Sequence, residues 1–473
     1  MEPAQVVAAL QAAVRIPTVS HVGDAGTDAG AFDALHAELR RRFPLLHRAC
    51  EITTLSDAGI GRGLLLRWPG ADTGGRPLVL MAHQDVVPAS HPPASGPFGV
   101  NPTAEPGTEL RTETDAGWRH PPFGGDVAVD ANGRDAVWGR GTLDCKGSLI
   151  AICAAAERLL AGGFSPRRDV WFSFGCDEEV AGPSAAAAAA ELVRRNVDPV
   201  LVLDEGGAVA EQAFPGIGDP LAVIGVAEKG LLSLLLVATD AGGHASTPTR
   251  NAAVARLAKA IVAIDARPFP AGVPPITVRL LRTLAPRMKP PLRQVLSFLT
   301  GRPRLLAAVL ARLGPETAAM VRTTTSVTML SGAPAPNAMA DRAQAVVNVR
   351  VRPGESTASA VQRIRRVVKG TGVAVQELSA SEPSPQAPTA GPAFELLTST
   401  TAAVLPDAVP VPYLTMAATD GRFFQQHWDQ VYRFTPIRMS RQQRQSLHAA
   451  DEHIAVEDLH AAVDWYTALL RAG

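Results

Sequence analysis

Histidines and carboxylates that fall directly after short apolar runs are the residues of this 473-residue sequence whose types and spacing could do chemistry. His83 and Asp85 follow LVLMA (78–82). Asp177, Glu178 and Glu179 follow VWFSF (170–174) after two small residues, and Asp204 and Glu205 follow VLVL (200–203). Asp144 lies in the glycine-flanked WGRGTLDCKG (138–147), just ahead of a helical pattern. If the three runs are strands, each delivers imidazole or carboxylate at its carboxyl end, the edge at which open α/β sheets bind ligands. Carboxylates gathered this closely drive one another toward protonation unless a cation holds them. Imidazole with carboxylate suits zinc, with cobalt or manganese as substitutes. One carboxylate bridging two ions about 3.5–4 Å apart would clamp a hydrolytic water. Taken singly, a strand-end His or Asp is as often a cap or a loop hydrogen-bonder, and Glu178-Glu179 could open a solvated helix. The combination is what points to metal.

These residues need a scaffold, and the first half of the chain alternates short apolar runs with helical patterns, as an α/β protein does. SLIAICAAAERLL (148–160) places Leu149, Ile152, Ala156 and Leu159 at helical spacing. A mostly parallel sheet with helices on its faces is expected. The Pro-, Gly- and Thr-rich stretch 92–117 reads as a long surface loop. From about Leu221 a second unit begins. GLLSLLLVATD (230–240), SVTML (326–330), AQAVVNVRV (343–351) and VAVQELSA (373–380) read as strands. Helices carrying Val254, Leu257, Ile261 and Ile264, then Val361, Ile364 and Val368, fall between them. That β-α-β-β-α-β order is a small open-faced sandwich inserted in a larger domain. Within it, 275–322 adds arginine-rich helical sequence that reads as a solvated excursion in preference to a membrane surface or an acidic partner. SEPSPQAPTAGP (381–392) is a linker back.

Lysine plus arginine equals aspartate plus glutamate at 45 each, which leaves no electrostatic footprint for nucleic acid. The 46% hydrophobic and 19% charged composition is that of a soluble globular protein. Four cysteines without a CxxC pattern argue for a reducing compartment. The first helix is amphipathic and unlike a signal peptide, and apolar runs break well short of the ~20 residues that span a bilayer. A cytoplasmic protein with no membrane partner is expected.

HQDVVP (83–88), WGRGTLDCKG (138–147), GCDEEVAG (175–182), LDEGG (203–207) and GGHASTP (242–248) stand in an order that resembles a known family. NVRVRPG (348–354), TDGRFF (419–424) and HAADE (448–452) extend the likeness over essentially the whole chain. The family is that of the dinuclear-zinc metallopeptidases: carboxypeptidases of the G and S types, aminoacylase, acetylornithine deacetylase and succinyl-diaminopimelate desuccinylase. The long 92–117 loop and the 275–322 excursion are reminiscent of its carboxypeptidase-S-like branch. The resemblance implies a zinc-peptidase catalytic domain (1–221 and 381–473) carrying an inserted ferredoxin-like α+β dimerisation, or lid, domain (222–380).

It further implies two zinc ions, with His83 and Asp204 on one, Glu179 and His448 on the other, and Asp144 bridging. Asp85 would orient His83 through its ring N–H, and Glu178 would be the general base. His244 would reach a neighbouring active site to steady the oxyanion, which makes the enzyme a homodimer through 222–380. Arg350 and Asn337 would hold the substrate's carboxylate or carbonyl. The substrate would be a dipeptide or C-terminal peptide, with an N-acyl amino acid as the alternative. A non-catalytic scaffold would have lost the base or a ligand, and none is lost. The remaining histidines, and Cys145 and Cys176 beside the site, receive no role.

Overall fold

In the computed structural model, described over residues 1–23, 26–72, 74–89, 117–214 and 216–473, the three apolar runs are the strands Leu78–His83, Val170–Gly175 and Leu201–Asp204. The first pairs in parallel with both others. They read as unbroken apolar runs because both faces of the sheet are covered. Leu78, Leu80, Phe172, Leu201 and Leu203 enter a core beneath the helices Pro3–Val14, Lys146–Ala161 and Val456–Ala472. Val79, Met81, Trp171 and Val202 enter another beneath the helix Ser184–Arg194. Burying each of these apolar side chains contributes roughly 1.5–3 kcal/mol, which anchors the strand ends in place.

Among the described residues the sheet runs Glu51–Leu55, Gly63–Trp68, Val170–Gly175, Leu78–His83, Leu201–Asp204, Val431–Arg433, Leu221–Glu228, Val209–Ala210 and Arg438–Met439. Val409–Thr415 also pairs in parallel with Leu221–Glu228. The sheet is mixed overall and parallel where the site residues emerge. Beside it, His453–Ala455 pairs with Asp135–Trp138, which pairs with Asp126–Val129.

The inserted β-α-β-β-α-β unit forms an antiparallel sheet in the order Thr324–Ser331, Arg342–Val351, Gly230–Thr239, Ala374–Ser381. The helices Ala253–Asp265 and Thr357–Val367 cover one face, where Leu257, Ile264, Val361 and Ile364 meet Leu232, Leu234, Val347 and Val349.

Two details differ from the sequence reading. The expected start of the insert, near residue 222, falls inside the strand Leu221–Glu228, whose pairing with Val409–Thr415 places it in the central sheet. The crossing is at Lys229-Gly230, where a Cβ on Gly230 would lie 2.6 Å from the Ser381 carbonyl oxygen of the returning chain. The 275–322 excursion forms helices Pro275–Leu284, Leu292–Thr300 and Pro303–Leu313. These pack on the catalytic domain, not on the inserted sheet: Leu280, Leu284, Leu306 and Leu310 share a core with Ile217, Leu221, Val409 and Val411. The loop expected over 92–117 lies outside the described residues except for Gly117.

Candidate metal centre

His83 closes its strand and is almost wholly buried. Its Nε2 lies 2.9 Å from Asp144 Oδ1 and 3.5 Å from Glu205 Oε1. Across the pocket, His448 Nε2 lies 3.0 Å from Asp144 Oδ2 and 3.1 Å from Glu179 Oε2. Asp144 thus gives one oxygen to each imidazole, and each imidazole has a further carboxylate of its own. Such spacings suit donors that share an ion at about 2.0–2.2 Å from each.

The electrostatics ask for that ion. Buried Glu179 Oε1 has no hydrogen-bond partner among the described residues. Burial, then the charge of Asp144, raises the pKa of Glu179 and pushes Glu205 up to about 7. Burial also holds Glu178 well above the usual carboxylate range. His448, which faces Asp144 and Glu179, is raised to about 10 by its hydrogen bonds to them. Divalent cations would let the carboxylates ionise and leave both imidazoles neutral, as ligation requires.

The positions are held from behind. His83 Nδ1 is 2.9 Å from the Asp85 carbonyl oxygen and 3.4 Å from Asp85 Oδ1, which leaves Nε2 as the ligand nitrogen. Asp85 is fully buried and accepts from Ser20 Oγ at 2.7 Å and from the backbone N–H groups of Glu178 and Glu179 at 3.2 and 3.1 Å. One carboxylate therefore positions an imidazole and two glutamates. Asp85→Asn is expected to weaken metal binding about 10–100-fold, read by titration against a competing chelator. An unchanged affinity would remove Asp85 from this role.

A second buried carboxylate sets the Asp144 loop. Glu452 Oε1 accepts from the N–H groups of Leu143 (2.8 Å) and Asp144 (3.1 Å), and Oε2 from Gly141 N–H (3.1 Å) and Arg140 Nη1 (2.7 Å). Gly141 sits at φ +88°, and a Cβ there would meet Val86 Cγ1 at 2.8 Å. Glu452 lies four residues after His448, so it ties the loops of Asp144 and His448 together. His448 itself adopts φ 59°, a left-handed conformation uncommon outside glycine and of the kind that clusters at functional sites.

The structure departs from the sequence expectation at Asp204. Asp204 ends its strand on the face of Val202, and its Oδ2 accepts the Gly421 N–H at 2.5 Å, with Arg433 nearby. Glu205, just past the strand, turns to His83 instead. Strand alternation carries Asp204 into the layer of the helix Gly421–Phe424. Alternation puts His83 on that same face, with Val79 and Met81, so sequence reasoning, which named Glu205 but gave it no role, had no strand-period signal with which to choose it.

Arg350, half-buried on the strand Arg342–Val351, donates Nε–H to Asn348 Oδ1 at 3.0 Å. Burial and the charge of Arg422 lower its pKa, while Glu178 and Glu228 oppose that shift. His244 and Asn337 are brought together elsewhere: Ala245 N–H donates to the Asn337 carbonyl, and the exposed His244 ring bonds Ser246 Oγ at 2.7 Å. Neither contacts the metal cage of the same chain among the described residues. Residues of the TDGRFF block brace the floor. Thr419 donates to Glu228 Oε2, which also accepts from buried Arg433 Nε at 3.1 Å. Cys145 is fully buried with its thiol pushed up by burial. Its sulfur, His83 and Glu205 offer donor atoms within 4.8 Å of one another.

Two imidazoles gathered with carboxylates at the ligand-binding edge of an α/β sheet are a donor set suited to metal-dependent hydrolysis. Residues 110–472 match peptidase family M20/M25/M40, and the chain belongs to that family. A similar protein is the probable carboxypeptidase S-like 2 of Dictyostelium discoideum, 31% identical over 93% of this chain and 79% of that protein. The human N-fatty-acyl-amino acid synthase/hydrolase PM20D1 is also 31% identical, over 85% of this chain and 75% of its own. In fold, the M20 family metallo-carboxypeptidase Sso-CP2 from Sulfolobus solfataricus superposes with a TM-score of 0.66 at 15% identity, covering 98% of both chains. Human carnosine dipeptidase 1 gives 0.67 at 14% identity over 99% of this chain and 95% of that one.

Proposed function

We infer that this chain hydrolyses the amide bond of an N-acyl amino acid or a short peptide, releasing an amino acid with a free carboxylate, and that it does so with two zinc ions. The supporting observation is the sharing of Asp144: each of its oxygens faces one imidazole, as a bridge between two ions requires. His83 and Glu205 would hold one ion and His448 and Glu179 the other, with Glu205 in the place first expected of Asp204. When bound, such ions lower the pKa of a water toward ~7 and polarise the scissile carbonyl.

The side chains supply the rest. Glu178, its backbone fixed by Asp85 and its carboxyl made more basic by burial, would take the proton of the attacking water and hand it to the leaving nitrogen. Arg350, whose charge is felt by Glu178, would pair with the α-carboxylate of the amino-acid portion, a planar fork for a planar anion. An acyl group is favoured over a second amino acid at the other side of the bond, because several relatives bear the name N-fatty-acyl-amino acid synthase/hydrolase. Turnover of N-acyl amino acids and dipeptides by chelator-stripped protein, with and without Zn²⁺, Co²⁺ or Mn²⁺, tests this. Metal-restored cleavage of acyl amino acids is expected. Hydrolysis that survives complete metal removal would end the reading.

His244 and Asn337 lie away from the cage of their own chain, which supports a homodimer through the inserted domain in which His244 serves the partner's site. Mixing inactive His244→Ala with inactive Glu178→Gln chains is then expected to restore up to a quarter of the activity through hybrid dimers, an order-of-magnitude estimate from closed two-fold pairing. No recovery after subunit exchange would count against it. All four cysteines are unpaired and three are buried, which supports a reducing, cytoplasmic setting.

A further inference from the structure

The helical excursion has a buried side and an open one. Leu292, Val295 and Phe298 repeat every three residues along the helix Leu292–Thr300, and Leu305 follows on the helix that packs beside it. All four are 44–52% exposed, although Leu299, Leu306 and Leu310 from the same helices are buried in the core below. Apolar side chains grouped in this way call for a partner.

Charge indicates which one. Residues 275–322 hold nine cationic side chains against the single acid Glu316, a net charge of +8 within a chain whose formal net charge is zero. Among the described residues the one ion pair of this stretch is Arg287 with Asp219, at 2.9 Å. Lys289, Arg293, Arg302 and Arg304 are exposed around the apolar stripe, and Arg302 lies over the Phe298 ring, 3.7 Å from its centroid. Exposed aliphatic and aromatic groups rimmed by unpaired cations match an interface that is apolar within and anionic at its surface. No helix among the described residues is long and apolar enough to cross a membrane, so the contact is peripheral.

We propose that the face formed by Leu292, Val295, Phe298 and Leu305, with Lys289, Arg293, Arg302 and Arg304, docks the enzyme on the surface of an anionic lipid bilayer. This replaces the solvated reading of the excursion: a solvated helix would not present a leucine, a valine and a phenylalanine at one spacing on its open side. The patch lies on the outer layer of the catalytic domain, and the proposal holds whichever amide is the substrate.

Flotation of the full chain with vesicles tests it. Binding to phosphatidylcholine vesicles containing phosphatidylglycerol is expected at low salt, with little binding to phosphatidylcholine alone and loss at high salt. Arg293→Glu, Arg302→Glu and Arg304→Glu together should weaken partition on the order of a hundredfold, from about fivefold per cation removed. Phe298→Ser with Val295→Ser should also abolish flotation. Both variants should keep wild-type hydrolysis of a soluble amide, which shows that they fold. Failure of the wild type to float with anionic vesicles overturns the proposal, as does flotation that neither variant diminishes. Concentration-dependent self-association, abolished by Phe298→Ser with no vesicle binding in the wild type, would assign the face to a second copy instead.

Discussion

Glu178→Gln is expected to lower kcat by about 10²–10⁴-fold while metal content and fold are kept. Glutamine preserves the shape, and the Glu178 N–H bond to Asp85 does not involve the side chain. What disappears is a carboxylate able to accept the water's proton. Burial favours that role, since a carboxyl whose pKa is raised is a stronger base once ionised. KM should change little, because Arg350 and the cage are untouched. Metal content by elemental analysis, beside kcat and KM, checks the expectation. A fully loaded variant within tenfold of wild type would require another base.

A second large effect separates neighbours in sequence. Glu205→Gln should cost more metal affinity than the roughly 10–100-fold that follows loss of a residue merely supporting a ligand. Asp204→Asn should retain metal affinity within that range. It should instead lower Tm, because the Gly421 N–H and Arg433 lose an anionic neighbour, at roughly 2–4 °C for each kcal/mol lost. Chelator competition and thermal melts on both variants measure this. If Asp204→Asn strips the metal and Glu205→Gln does not, the ligand assignment reverses.

These neighbours also mark where the sequence stopped being legible. LVLMA, VWFSF and VLVL could be read as strands because a sheet buried on both faces demands unbroken apolar runs, and their ends then had to carry the polar groups. The inserted sandwich was readable from its order of elements. Alternation puts His83 and Asp204 on one face, with Val79, Met81 and Val202; what sends Asp204 to the Gly421 N–H and Glu205 to His83 is the chain packed around the strand ends, and that lies outside any local pattern. The excursion posed the same difficulty: its helical period was plain, yet the same stripe could have met the inserted sheet or the catalytic domain. Glu452 was visible in HAADE only as a residue type. Its four donors come from residues more than 300 positions away.

That long-range clamp has a consequence for synthesis. Four cage residues, His83, Asp144, Glu179 and Glu205, leave the ribosome well before the insert, whereas His448 and Glu452 follow some 240 residues after Glu205. The strand Val431–Arg433 must also slot between Leu201–Asp204 and Leu221–Glu228, both made long before it. On the proposed mechanism, a nascent chain thus carries Glu178 and most of the cage without a finished site, and cannot cut amides while it is still being made. The same delay leaves a partly built sheet with unpaired edges for the time taken to translate the insert, and unpaired edges of that kind invite aggregation.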